Sequence, residues 1–164
     1  MTVSNVESGT VEIYLGMGDG TFAAPLKIST RNPIYSAAAD FDRDGKVDFV
    51  VGGDGFKLFL GNGDGTFQLG QTIYSDYGPV KVGDLDADGR LDIALSIDSD
   101  VAGLVVLRGR GNGTFGPGTP YPIGSLFNGY FALSDLNGDA RPEAIVSNIS
   151  DSLIVLPNIS RLRP

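Results

Sequence analysis

Oxygen-bearing side chains recur at fixed spacing in three nine-residue segments. The first is Asp40-Phe41-Asp42-Arg43-Asp44-Gly45-Lys46-Val47-Asp48. The second is Asp84-Leu85-Asp86-Ala87-Asp88-Gly89-Arg90-Leu91-Asp92. The third is Asp135-Leu136-Asn137-Gly138-Asp139-Ala140-Arg141-Pro142-Glu143. Acidic or amide side chains stand at positions 1, 3, 5 and 9 of each segment. Like charges crowded into one tight loop repel unless something positive gathers them. A hard divalent cation with an all-oxygen shell answers that need, and calcium suits a flexible loop better than magnesium, which demands a small octahedral shell and keeps its waters.

The expected ligands of the first loop are the carboxylates of Asp40, Asp42, Asp44 and Asp48 with the backbone carbonyl of Lys46. Those of the second are Asp84, Asp86, Asp88 and Asp92 with the carbonyl of Arg90. Those of the third are Asp135, Asn137, Asp139 and Glu143 with the carbonyl of Arg141. Ca2+ is therefore the expected cofactor, one ion per loop and about three in all. The third loop departs from the others: Ala140 replaces the turn glycine, and Asn137 and Glu143 alter the ligand types. An EF-hand would carry Glu at position 12 between two helices. Val51, Leu95 and Val146 stand there instead, within apolar runs, so a helix-opening calcium switch is excluded.

The charge agrees. The chain has 20 acidic and 12 basic residues, a net charge of −8, and 11 of the acids lie in the three loops. Three dications would bring the total to about −2. Nothing here suits nucleic acid or an anionic membrane, which call for a basic patch. Histidine and cysteine are absent. That excludes zinc sites built on them, cysteine nucleophiles, Ser-His-Asp triads and disulfides. No apolar run approaches the length of a membrane span. The expected role of the metal is structural, and no enzymatic activity is expected. The opening Met1-Thr2-Val3-Ser4-Asn5 lacks the features of a secretory leader. A piece processed or excised from a secreted protein remains compatible with it.

The elements that would hold these loops follow from a second motif. Leu15-Gly16-Met17-Gly18-Asp19-Gly20-Thr21-Phe22 recurs as Leu60-Gly61-Asn62-Gly63-Asp64-Gly65-Thr66-Phe67 and as Arg108-Gly109-Arg110-Gly111-Asn112-Gly113-Thr114-Phe115. Both motifs repeat at roughly 45 residues, out of phase with one another. Short β-branched runs separate them, such as Leu91-Asp92-Ile93-Ala94-Leu95-Ser96-Ile97 and Leu104-Val105-Val106-Leu107. Four strands of about five residues fit each period, divided by Gly, Asn and Asp turns. The expectation is an all-β chain, one domain over residues 1–164, built as β-propeller blades of four antiparallel strands with almost no helix. The repeats run about 1–40, 41–84 and 85–135, with a partial one over 136–157. Length differences between repeats are expected to fall in surface insertions at Asp98-Ser99-Asp100 and Gly116-Pro117-Gly118.

The pairing of Asp-x-Asp-x-Asp-Gly-x-x-Asp with Gly-Asn-Gly-Asp-Gly-Thr-Phe resembles the FG-GAP/VCBS repeat family, over nearly the whole chain. Integrin α-chain propellers and many secreted bacterial proteins belong to it. The resemblance implies a calcium-bearing propeller used outside the cell, in adhesion or carbohydrate binding.

About 3.5 repeats are too few for a usual closed ring, where four to eight are typical. Apolar blade faces and unpaired edge strands are then expected. The expected partners are the rest of a longer propeller or further copies, as a ring-closing dimer or a fibre; a carbohydrate or cell-surface protein is a further candidate. The leading expectation is a calcium-stabilised extracellular structural or adhesion module. The alternatives are a lectin using pockets between blades and an accessory propeller of a secreted carbohydrate-active enzyme. Tyr35, Tyr74, Tyr77, Tyr121 and Tyr130 are the candidates for sugar stacking, weighed against simple packing between blades. Phe22, Phe67 and Phe115 are expected to pack between blades, and the glycine-rich turns lack the lysine and helix of a phosphate loop. Sequons occur at Asn112, Asn148 and Asn158.

Overall fold

The computed structural model describes residues 1–53, 55–74, 78–97, 103–123, 127–148 and 152–157. Tyr77, Asp98-Ser99-Asp100 and Asn158 lie outside the described residues, as do the side chains of Tyr74 and Asn148. Among the described residues the chain is all β, with no helix. The strands are β1 (Thr2–Asn5), β2 (Thr10–Ile13), β3 (Leu26–Ser29), β4 (Tyr35–Ala39), β5 (Asp48–Gly53), β6 (Gly55–Gly61), β7 (Phe67–Tyr74), β8 (Val80–Gly83), β9 (Asp92–Ile97), β10 (Gly103–Gly109), β11 (Phe115–Pro122), β12 (Phe127–Ser134), β13 (Glu143–Asn148) and β14 (Leu153–Leu156).

They form four antiparallel meanders: β1-β2-β3, β4-β5-β6-β7, β8-β9-β10-β11 and β12-β13-β14. Each acidic loop joins the first and second strands of one sheet; the glycine-rich turns at 60–67 and 108–115 join the third and fourth, and that at 15–22 joins the last two strands of the three-stranded first sheet. The two motifs thus emerge at the same end of a sheet. A repeat counted from loop to loop therefore runs out of phase with the sheets.

Side-chain alternation explains the continuous apolar runs. Successive residues of a strand point to opposite faces, and here both faces of the inner strands are covered. In β5, Phe49 and Val51 enter a core with Val11 and Ile13 of the first sheet. Val50, between them, enters a different core with Ile93, Leu95 and Leu107 of the third sheet. In β9, Ala94 turns to a third core with Leu104, Phe131, Ala144 and Val146. Three cores thus lie between four sheets, as in stacked propeller blades. Aromatic contacts reinforce the first of these cores: Phe49 stacks on Phe59 at 4.8 Å and meets Phe67 edge-on at 5.0 Å. Such contacts add about 0.5–1.5 kcal/mol each beyond burial. Phe67 and Phe115 pack between sheets as expected, whereas Phe22 is 51% exposed and only edges against Tyr14.

Two expectations change. Gly116-Pro117-Gly118 is not an insertion loop: it runs inside β11, where the pairing with β10 shifts register between Leu107 and Gly109. Proline is tolerated because β11 is an edge strand. Nor are both outward faces apolar. On the first sheet, Glu12 and Lys27 are cross-strand partners and form an ion pair at 2.8 Å, with the Tyr14 hydroxyl donating to Glu12 at 2.8 Å. That face is polar. On the fourth sheet, Leu153 (72% exposed) and Val155 (49% exposed) alternate with the inward Ile154 and Leu156, and that face is apolar.

Candidate metal centres

The loop backbone is shaped first by left-handed residues. In the first loop these are Arg43 (φ 64°) and Gly45 (φ 82°); in the second, Ala87 (φ 60°) and Gly89 (φ 79°). In the third they are Gly138 (φ 79°) and Ala140 (φ 64°). Positions 4 and 6 are left-handed every time, and a single glycine serves one of them. The apparent departure at Ala140 is an exchange: the glycine has moved to position 4.

This shape turns backbone N–H groups onto the position-1 carboxylate. Asp40 accepts from the amides of Asp44 (3.2 Å) and Gly45 (2.9 Å), and Asp84 from those of Asp88 (3.0 Å) and Gly89 (2.7 Å). Asp135 accepts from Gly138 (2.7 Å) and Ala140 (2.9 Å). Desolvation works to raise the Asp135 carboxyl, but these amides outweigh it and hold it below the ordinary value.

Position 5 is held by position 7 through both backbone and side chain. Asp44 accepts from the Lys46 amide at 2.9 Å and pairs with its ammonium at 2.7 Å. Asp88 accepts from the Arg90 amide at 2.8 Å and pairs with its guanidinium. The Lys46 side chain, ahead of the amide, lowers the pKa of Asp44. Asp139 accepts from the Arg141 amide at 3.0 Å.

Position 9 does something the sequence did not announce. Asp48 is buried, and its two oxygens accept from the amides of Phe41 and Gly61, each at 2.8 Å. Asp92, also buried, accepts from Leu85 (3.1 Å) and Gly109 (2.8 Å). Each acid ties its own loop to the glycine that opens the next turn motif. Burial nevertheless pushes both carboxyls above the ordinary value, against the pull of those amides. The glycines are required at this junction: a Cβ on Gly61 would stand 2.2 Å from the Val47 carbonyl oxygen, and one on Gly109 2.0 Å from that of Leu91. Glu143 accepts from the Leu136 amide at 2.8 Å and from the Asn137 side-chain amide at 2.9 Å.

The acids converge in two of the three loops. Oxygens of Asp40, Asp42 and Asp48 lie within 4.8 Å of one another, and so do those of Asp84, Asp86 and Asp88. No such trio of acids occurs in the third loop among the described residues, where Asn137 stands in place of an acid. The second cluster carries a further sign of a missing partner. Asp86 Oδ1 is buried and accepts no hydrogen bond, while its other oxygen faces Arg108. A buried carboxylate oxygen without a donor costs on the order of 1–3 kcal/mol. A cation among Asp84, Asp86 and Asp88 would satisfy it, so the donor set fits calcium.

The other sequence candidates are placed as follows. Tyr35 packs against the core between the second and third sheets, and Tyr121 against that between the third and fourth. Tyr130 is exposed. The Asn112 side chain accepts from the amide and hydroxyl of Thr114, at 3.2 and 2.7 Å.

Antiparallel sheets packed face to face, with an acidic loop between the first and second strands, define a β-propeller-like repeat protein. The FG-GAP-like repeat matches residues 2–51, 40–95 and 84–146, and the chain belongs to that family. A similar solved structure is a lectin of Agrocybe aegerita described as specifically recognising non-reducing terminal N-acetylglucosamine. It is 21% identical with a TM-score of 0.58, over 93% of this chain and 47% of that one. The chain thus spans about half the length of the structure it matches. No curated protein matches it.

Proposed function

We propose that the chain is a non-catalytic, calcium-stabilised propeller module that serves structure or adhesion outside the cell. The observation that carries this reading is the second acidic cluster, where three carboxylates converge around a buried oxygen that no protein group satisfies. Extracellular calcium is abundant enough to fill sites of 10⁻⁴–10⁻³ M affinity, the range of extracellular modules. The absence of histidine and cysteine from the sequence supports a non-catalytic role, as does the engagement of the loop acids by backbone amides. The apolar outward face of the fourth sheet supports a further blade or another copy as partner.

Thermal unfolding tests the calcium. Calcium at about 100 times its dissociation constant should add ~2.7 kcal/mol per site, and each kcal/mol should raise Tm by about 2–4 °C at this chain length. A melting curve indifferent to excess chelator would remove the reading.

A second reading, carbohydrate binding, has its own observation. A cleft of ≈ 280 Å³ beside the first acidic loop is lined by Ile13, Leu15, Lys46, Val47, Thr66 and Phe67. An aromatic ring and apolar wall beside a few polar groups is the make-up of a small-ligand site, and the lectin fold likeness adds to it. Competable binding on a glycan array, lost in Lys46→Ala and Thr66→Ala, would favour this reading; an array without signal would end it.

A further inference from the structure

The first two acidic loops differ in what faces them across the sheet. Phe59 pairs with Phe49 and Leu107 with Ile93, so Leu60 and Arg108 hold the same place in consecutive blades. Leu60 is apolar and packs against the core beside the first loop. Arg108 instead sends its guanidinium into the second loop. Its Nη1 donates to Asp92 Oδ2 at 2.9 Å and stands 3.3 Å from Asp86 Oδ2. It therefore neutralises positions 3 and 9 together. The clusters differ to match. The first gathers positions 1, 3 and 9; the second gathers 1, 3 and 5, without Asp92.

We propose that Arg108 is a resident counter-cation that competes with calcium, making the second loop a weaker calcium site than the first and keeping it assembled when calcium is scarce. This rests on the reading of the loops as calcium sites. A cation binding among Asp84, Asp86 and Asp88 must share Asp86 with a charge already in place, and Asp92 is withheld from it. At the first loop the Lys46 ammonium pairs with position 5, as Arg90 does in the second, but position 9 is held without a side-chain cation: Asp48 accepts from the backbone amides of Phe41 and Gly61, and Leu60 offers neither charge nor donor. Arg108 is a positioning residue, acting on the ion only through the carboxylates it holds.

Calcium titration calorimetry on the full chain tests this. The parent should show a tight and a weak class of site, with Asp42→Asn removing the tight class and Asp86→Asn the weak one. Arg108→Leu, which installs the first loop's residue, should strengthen the weak class about tenfold, the scale on which one adjacent unit charge shifts a carboxylate. Arg108→Gln, which keeps the side-chain length, should do the same and serves if the leucine variant does not fold. Unfolding supplies a readout free of bound metal: either variant should melt lower than the parent in excess chelator, and the gap should close or reverse in saturating calcium. An unchanged weak class, or an equal loss of Tm in chelator and in calcium, would overturn the proposal and leave Arg108 as an ordinary ion pair. Absence of any calcium binding would overturn the calcium reading itself.

Discussion

In the first acidic loop the left-handed residues are Arg43 and Gly45; in the third they are Gly138 and Ala140. Asp48 closes the first loop by reaching two backbone amides, one of them Gly61 in the next turn motif. Glu143 closes the third by reaching one backbone amide and the side chain of Asn137, both within its own loop. The backbone path is shared, but its support is not. The first loop is braced to the glycine-rich turn beside it at the same end of its blade, whereas the third is braced to itself. The position-9 acid of the first loop is thus a structural clamp between two turns.

The largest test of this contrast is removal of the clamp. In excess chelator, Asp48→Ala should cost about 3–5 kcal/mol in denaturant unfolding, because it strands two amides behind a buried junction. Glu143→Ala should cost less than half of that. Equal losses would break the comparison. Next comes the partner of the clamp. Gly61→Ala should cost more than ~2 kcal/mol, since its Cβ would overlap the Val47 carbonyl. Gly16→Ala, at the corresponding turn of the first sheet, has nothing within 4 Å and should stay within about 0.5 kcal/mol.

Calcium gives a third, smaller effect. Asp42→Asn should lower the calcium-dependent rise in Tm by several degrees, whereas Asp139→Asn should change it by about 1 °C or less, as expected for a weak or empty site. A matching loss from both would restore the third loop to equal standing. The smallest effect concerns the exchanged glycine. Ala140→Gly should stabilise by up to ~1 kcal/mol and Gly138→Ala should destabilise by a similar amount, because left-handed backbone disfavours a Cβ. Circular dichroism melts of both variants in chelator would resolve the pair.

Much of this was legible in the sequence. The spacing of the acids and of the glycine-rich turns marked the strands and the loops, because turn chemistry is local and demands particular residues. The role of Asp48 and Asp92 was not legible, since their amide donors lie 13 and 17 residues away and meet them only through strand register. Arg108 was read as one variable residue of a turn motif, because nothing local announces that it reaches back to Asp86 and Asp92. The polar face of the first sheet was missed for the same reason: Glu12 and Lys27 become partners only when β2 and β3 pair. The glycine exchange was half visible, as a missing glycine at position 6 without its compensation at position 4.

The unequal outer faces of the first and fourth sheets bear on symmetry. Stacking copies head to tail would press the fourth sheet's Leu153 and Val155 onto the Glu12–Lys27 pair, stripping water from both charges without replacing their hydration. Turning one copy through a half-rotation instead sets like face against like, and such a contact is self-complementary and closes at two. The placement of one ion pair thus weighs against direct contact between these two faces.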